Sequence, residues 1–104
     1  MHSYLAHEAA AKNNLKELKK IARKDQGRLF VADENGWEPI HEAVRAGHKE
    51  AVQFLMDNGA DMDARTHWGE GLSPLKIALR SHSDDHPVSQ YLRELGALDL
   101  GPEL

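Results

Sequence analysis

The chain has 104 residues, 40% hydrophobic and 29% charged, which is the size of one domain and an ordinary make-up for a water-soluble fold. It has no cysteine and a net charge of −4, so a disulfide framework, thiol catalysis and sulfur-built zinc sites are excluded. No apolar run approaches the roughly 18 residues of a membrane span, and no charged–apolar–small start marks a signal peptide. An intracellular, cytoplasmic setting with no membrane partner is therefore expected.

The first segment, "LAHEAAAKNNLKELKKIARKD", contains His7-Glu8-Ala9-Ala10 and an Asn13-Asn14 break. A helix follows in which Leu15, Leu18, Ile21 and Ala22 share one face. Residues 1–32 carry seven Lys/Arg against three acids, whereas residues 33–104 carry six against fourteen. A basic end on an acidic body can steer an acidic partner or nucleic acid. Lys16, Lys19, Lys20 and Arg23 lie opposite the apolar face with no aromatic between them to stack on bases, which is how a solvated helix face also reads.

The clearest unit spans residues 33–65. Asp33, Asn35 and Gly36 favour a tight turn, and Pro39 suits the first turn of a helix. Ile40, Ala43 and Val44 recur at helical spacing until Gly47 stops the helix. Val52, Leu55 and Met56 form the stripe of a second helix, with Ala51 and Phe54 beside it and Gly59 as its stop. Downstream, "SPLKIALRS" echoes "EPIHEAVRA" and "HPVSQYLRELGA" echoes the second helix. Here Pro87 belongs in a first turn, with Asp84 or Asp85 as its cap. The organisation is a repeat of helix pairs with no long strand.

"GWEPIHEAVRAGHKEAVQFLMDNGADMDA" resembles an ankyrin repeat, with Gly36, Pro39, His41, Ala43, Gly47, His48, Val52, Leu55, Gly59, Ala60 and Asp61 on pattern positions. The flanking copies extend the resemblance over nearly the whole chain. It implies an all-α solenoid of about three stacked antiparallel helix pairs with projecting β-turn fingers. The expected division is a capping repeat over 3–32, a full repeat over 33–65, a second cap over 66–99 and a tail over 100–104. Glu17 and Lys20 in the first copy, and Ser89 and Arg93 in the last, are expected on the polar outer faces of the caps.

Three departures from the pattern bear on structure. Glu38 stands where the family has Thr, so a carboxylate is expected to replace the hydroxyl contact to the next His. Val44 is large and Ala51 small for their places, which reads as compensating volume. Glu70-Gly71 is an insertion in the third finger, and "SHSDDH" is also longer than the family norm.

Chemistry is otherwise sparse. His7-Glu8 and His41-Glu42 begin like the helical zinc motif H-E-x-x-H, but positions 11 and 45 are Ala and Arg. These imidazoles are expected to bond across the turn at the helix start. His82 and His86 flank Asp84 and Asp85, which is either a divalent-ion loop or a polar connection with an aspartate cap. No serine lies in a nucleophile elbow, and "GEGLSP" is not a dinucleotide loop. No catalytic residue, cofactor, metal or small-molecule substrate is expected.

The resemblance implies a module that binds another protein through its turn tips and concave face. Carried onto this chain, the contact positions are Glu34, Asn35, Trp37, Arg45, Ala46, Asn58 and Arg65, joined by His67, Trp68, Arg80 and Ser81 in the third copy. Trp37 and Trp68 are hot-spot residue types on loops, though each ring could equally pack along its own turn. Arg45 and Arg80 could meet carboxylates of a partner. The alternatives are an appended targeting segment of a larger enzyme, for example one resembling prolyl hydroxylases, and nucleic-acid binding through the basic first segment.

Overall fold

The computed structural model describes residues 4–102. Ser3, at the expected start of the first unit, and the last two residues of the expected tail lie outside them. Six helices alternate as short antiparallel pairs: α1 Leu5–Ala11 with α2 Leu15–Lys24, α3 Pro39–Ala46 with α4 Lys49–Asp57, and α5 Pro74–Ser81 with α6 Pro87–Glu94. No strand occurs among the described residues. α1, α3 and α5 pack successively in one row, and α2, α4 and α6 form the row behind it.

Local chemistry sets the helix ends. Asn13 takes the left-handed conformation between α1 and α2 (φ 56°), and the side chain of Asn14 caps α2 by accepting from the Glu17 N–H at 3.1 Å. Gly47 closes α3 in the same left-handed region, at φ 80°. A side chain there would also crowd the rings of His82 and His86 at 3.0–3.2 Å, so those rings would have to shift, and the backbone angle itself favours glycine. Pro39, Pro74 and Pro87 each open a helix, where no N–H is needed.

One core runs through all three pairs. Leu18, Ile40, Ala43, Val44, Ala51, Val52, Leu55, Ala78, Val88 and Leu92 are fully or almost fully buried. Burying a side chain the size of Leu55 contributes about 1.5–3 kcal/mol. Val44 of α3 and Ala51 of α4 are both without solvent contact.

Two local expectations are corrected. The cap of α6 is His86, whose Nδ1 accepts the Val88 N–H at 3.1 Å, and neither Asp84 nor Asp85 serves. Asp85 instead accepts from the Ser83 hydroxyl at 2.6 Å. Ser89 does not face outward; it is wholly buried, and its hydroxyl donates to the Ser83 carbonyl at 3.0 Å. A buried serine satisfied by a loop carbonyl costs little, whereas an exposed one is not required. After α2, Gln26–Phe30 forms a 3-10 turn that buries Leu29, begun by Asp25 accepting from the Gly27 N–H at 3.1 Å.

Candidate interaction surface

The turns between pairs form two stacked fingers. In the first, Asp33 Oδ1 accepts from the N–H groups of Asn35 and Trp37 at 2.9 and 3.0 Å, and the Gly36 N–H donates to the Asp33 carbonyl at 2.9 Å. Gly36 has φ 75° and is buried beneath the second finger. A Cβ on it would lie 2.5 Å from the Trp68 N and 2.7 Å from the His67 N. The two fingers are joined directly where the His67 N–H donates to the Asn35 carbonyl at 2.9 Å.

The second finger, Thr66–Gly69, has left-handed backbone at His67 (φ 53°) and Trp68 (φ 58°). Two successive non-glycine residues there are costly, and surrounding bonds must over-determine them. The buried Thr66 supplies those bonds. Its N–H donates to the Leu72 carbonyl at 3.0 Å, its carbonyl accepts the Gly71 N–H at 2.8 Å, and its hydroxyl accepts the Leu72 N–H at 2.9 Å. Any side chain at Gly71 would strike the Thr66 hydroxyl at 2.1 Å, so the Glu70-Gly71 insertion can close only with glycine.

Two imidazoles tie the fingers to the first row of helices. His7 Nε2 donates to the Trp37 carbonyl at 2.6 Å. His41 is fully buried; its Nδ1 accepts the Glu38 N–H at 2.9 Å, and its Nε2 donates to the Ala64 carbonyl at 2.7 Å. Glu38 and His41 thereby form a reciprocal capping box. Burial holds the His41 pKa below the ordinary imidazole value, and it raises the Glu38 carboxyl, with the neighbouring Asp61 charge adding to the rise.

The sequence comparison missed one substitution at this position. In the third copy the residue matching His41 is Lys76, which is buried and pairs with Asp99 at 3.0 Å. The segment around Asp99 is also bonded to the start of α5, through Ser73 N–H to the Leu100 carbonyl at 2.9 Å and Leu100 N–H to the Ser73 hydroxyl at 3.0 Å. Aligning "SPLK" with "EPIH" contained this signal: a lysine at a buried position requires an acid nearby.

The expected contact residues occupy unlike settings. Trp37 is half-buried and set edge-on to His41, ring centroids 5.8 Å apart, whereas Trp68 is 69% exposed. Glu34 is exposed and accepts from the Tyr4 hydroxyl at 2.6 Å, which raises the Tyr4 pKa. Arg45 is paired with Glu42 at 2.7 Å, and Arg80 donates to the Pro102 carbonyl at 2.6 Å. Arg65 donates to the Gly71 carbonyl, and Asn58 Nδ2 to the Phe54 carbonyl. Ala46 is half-buried; Asn35, His67 and Ser81 are exposed. The surface thus brings together Glu34, Asn35, His67 and Trp68 at the adjoining fingers. Arg80 and Ser81 lie at the far end of α5 and Asn58 just beyond the end of α4.

Tyr4, His7, Glu8, Ala11, Asp33 and Glu42 line a cleft of about 400 Å³ between the first two helix pairs. His82 and His86 stack with ring centroids 4.3 Å apart, and their bonded nitrogens serve the Val44 carbonyl at 3.0 Å and the Val88 N–H. Among the described residues no three His, Asp or Glu side chains are grouped to hold a metal, and no helix is long and apolar enough to cross a membrane.

This architecture can be compared with known proteins. The family model for ankyrin repeats, in three copies, matches residues 6–100. The chain belongs to the ankyrin-repeat family. Ankyrin repeats are in general protein–protein interaction modules, and the fold is typically non-catalytic. Similar proteins include an ankyrin repeat-containing protein of Schizosaccharomyces pombe, 37% identical over 59% of this chain and 28% of that protein. Human protein phosphatase 1 regulatory subunit 27 is 34% identical over 81% of this chain and 52% of its own length. Among solved structures, the human ASB11 ankyrin repeat domain superposes with a TM-score of 0.76 at 30% identity, over 89% of this chain and 40% of that one. The chain therefore spans about half or less of each of these relatives.

Proposed function

We propose that this ankyrin domain is a non-catalytic module that binds another protein through its finger tips and the adjoining face of the first helix row. The observation that carries this reading is Trp68. A 69% exposed indole sits on a turn whose backbone is fixed by Thr66, Gly71 and Asn35. Large aromatics on rigid supports are the usual anchors of binding energy, because little entropy is lost when a partner covers them.

The absence of cysteine makes the test direct. Asn35→Cys, exposed on the joined first finger with Trp68 left in place, and Lys20→Cys variants carry a photo-crosslinking maleimide on the finger and on the back of α2, respectively. Crosslinks to a protein from the finger position alone support the reading. Crosslinks only from Lys20→Cys, or from neither in lysate of the source cell, overturn it.

A second reading is supported by the relatives' lengths: the domain is a targeting segment appended to other activities. Expressing the longest reading frame that contains the chain, and assaying it with and without this domain, separates an autonomous binder from an appended one.

A further inference from the structure

We propose that the finger edge centred on Trp68 takes a basic segment of the partner protein, a Lys or Arg side chain lying over the indole with carboxylates around it. The proposal rests on the reading that the fingers are the binding surface, and it adds the partner's chemistry.

The first observation is the exposed indole itself. Its π face attracts a cation, and Arg or Lys over Trp is the strongest pairing of this kind. The second is where charge is and is not neutralised. Residues 33–38 and 61–73, which build the two fingers, contain Asp33, Glu34, Glu38, Asp61, Asp63 and Glu70. Against these six acids stands one base, Arg65, whose Nε is directed to the Gly71 carbonyl at 2.9 Å.

Among the described residues, none of the six carboxylates pairs with a lysine or arginine. The ion pairs lie elsewhere: Lys12 with Glu8, Arg28 with Asp25, Arg45 with Glu42, Lys76 with Asp99 and Arg93 with Asp84. Glu38 shows the consequence, since burial and the Asp61 charge make its ionised form unfavourable with no cation to offset them. The basic residues of α2 are on the opposite row of helices and cannot serve this edge. A negative edge with a bare indole at its tip therefore lacks what a Lys- or Arg-bearing segment supplies, and its field also speeds the approach of one.

The fingers are joined, so the acids and the indole act on one ligand. The Asn35–His67 bond and the close passage of Trp68 over Gly36 fix Glu34 and Trp68 on adjoining turns. Glu70 follows Trp68 by two residues.

The test is selection of random displayed peptides on the immobilised whole chain, followed by binding of the selected peptides to variants. Wild type is expected to enrich peptides carrying several Lys or Arg residues. The best of them should bind Trp68→Ala about tenfold or more weakly, with Trp68→Phe restoring part of the loss. The Glu34→Gln/Glu70→Gln double variant should weaken binding and flatten its salt dependence. Trp68, Glu34 and Glu70 are exposed, so circular dichroism should show all variants folded.

Enriched peptides that are neutral or acidic but still need Trp68 overturn the basic partner and leave the finger as the binding surface. Basic peptides that bind Trp68→Ala as well as wild type overturn the proposed site. No enrichment on wild type overturns both this proposal and the reading on which it rests.

Discussion

The two fingers begin from similar residues and end with opposite surfaces. Each has a tryptophan just before a helix pair, yet Trp37 folds back against His41 and Trp68 stands out in solvent. The difference lies in the backbone beneath each ring. The first finger is the short family turn, closed by Asp33 and Gly36, and its tryptophan carbonyl is held by His7. The second carries the Glu70-Gly71 insertion, and the extra length is taken up as left-handed backbone at His67 and Trp68. Insertion length, more than side-chain identity, decides which indole is available.

The contrast breaks most severely at Gly36, where the fingers touch. Gly36→Ala places a methyl 2.5 Å from the Trp68 N at a backbone angle of φ 75°. The conformation alone costs about 1–2 kcal/mol, and because the clash is with backbone the total loss should reach about 3 kcal/mol or more. Urea denaturation of the variant should show it. Gly69→Ala is the control, since φ is 96° but nothing lies within 4 Å; it should cost only the conformational part, about 1–2 kcal/mol.

His41 supports the first finger and the chain entering the second, so its loss should be the next largest. His41→Gln leaves the Glu38 N–H or the Ala64 carbonyl without a well-placed partner, at a cost of about 1–3 kcal/mol. The pH dependence tests the burial directly. The His41 pKa is lowered from 6.5 in the folded state, so below 6.5 the unfolded chain binds a proton that the native chain refuses. Its contribution is whole at neutral pH and is lost as the pH falls through 6.5 toward the folded pKa. The slope reaches at most about 1.4 kcal/mol per pH unit.

Glu38 acts with the opposite sign. Its pKa is raised from 4.5, so the native chain holds a proton the unfolded chain has released. That costs stability above the folded pKa, and the cost is relieved as the pH falls toward 4.5. Subtracting the pH profile of His41→Gln from that of wild type isolates the imidazole, and a flat difference between pH 7 and 5.5 would contradict its burial.

The tryptophans themselves give a smaller effect. Trp37→Ala removes a half-buried ring packed against the core and should cost about 2 kcal/mol, below the range for a fully buried ring. Trp68→Ala should stay within about 0.5 kcal/mol of wild type. In single-tryptophan variants, the emission of Trp68 should be the more red-shifted and the more readily quenched by iodide. Equal quenching would mean that the second finger does not hold its ring in solvent.

How much of this was legible follows from what each residue had to satisfy. The helix pairs and their order were readable because Gly36, Pro39, His41, Gly47 and Gly59 have few alternative uses at that spacing. The two-residue insertion was also visible. Its consequence was not, because left-handed backbone at His67 and Trp68 arises only once Thr66 is buried and Gly71 is pressed against it. Ser89 was misplaced for a related reason. Polarity puts a serine on an outer face by default, and only the folded loop supplies the Ser83 carbonyl that lets it be buried. Lys76 inverts a family habit in the same way, with a distant acid replacing a backbone carbonyl as partner of the helix-start side chain.

Arg45 carries the smallest prediction and tests how charge is distributed over the surface. It equals Arg80 in repeat position, yet each is engaged within the chain, Arg45 with Glu42 and Arg80 with the Pro102 carbonyl. The Arg45 side chain is 56% exposed, so solvent screens the pair, and Arg45→Ala should cost about 0.5 kcal/mol or less. Its effect on binding separates two pictures. If the partner presented carboxylates to the first-helix face, losing Arg45 would weaken binding and flatten the difference between low and high salt. If the partner is basic, losing Arg45 unmasks Glu42 beside the cleft shared with Glu8 and Asp33, and association at low salt should become faster. The sign of the change in on-rate thus reports the partner's charge before the partner's contact residues are known.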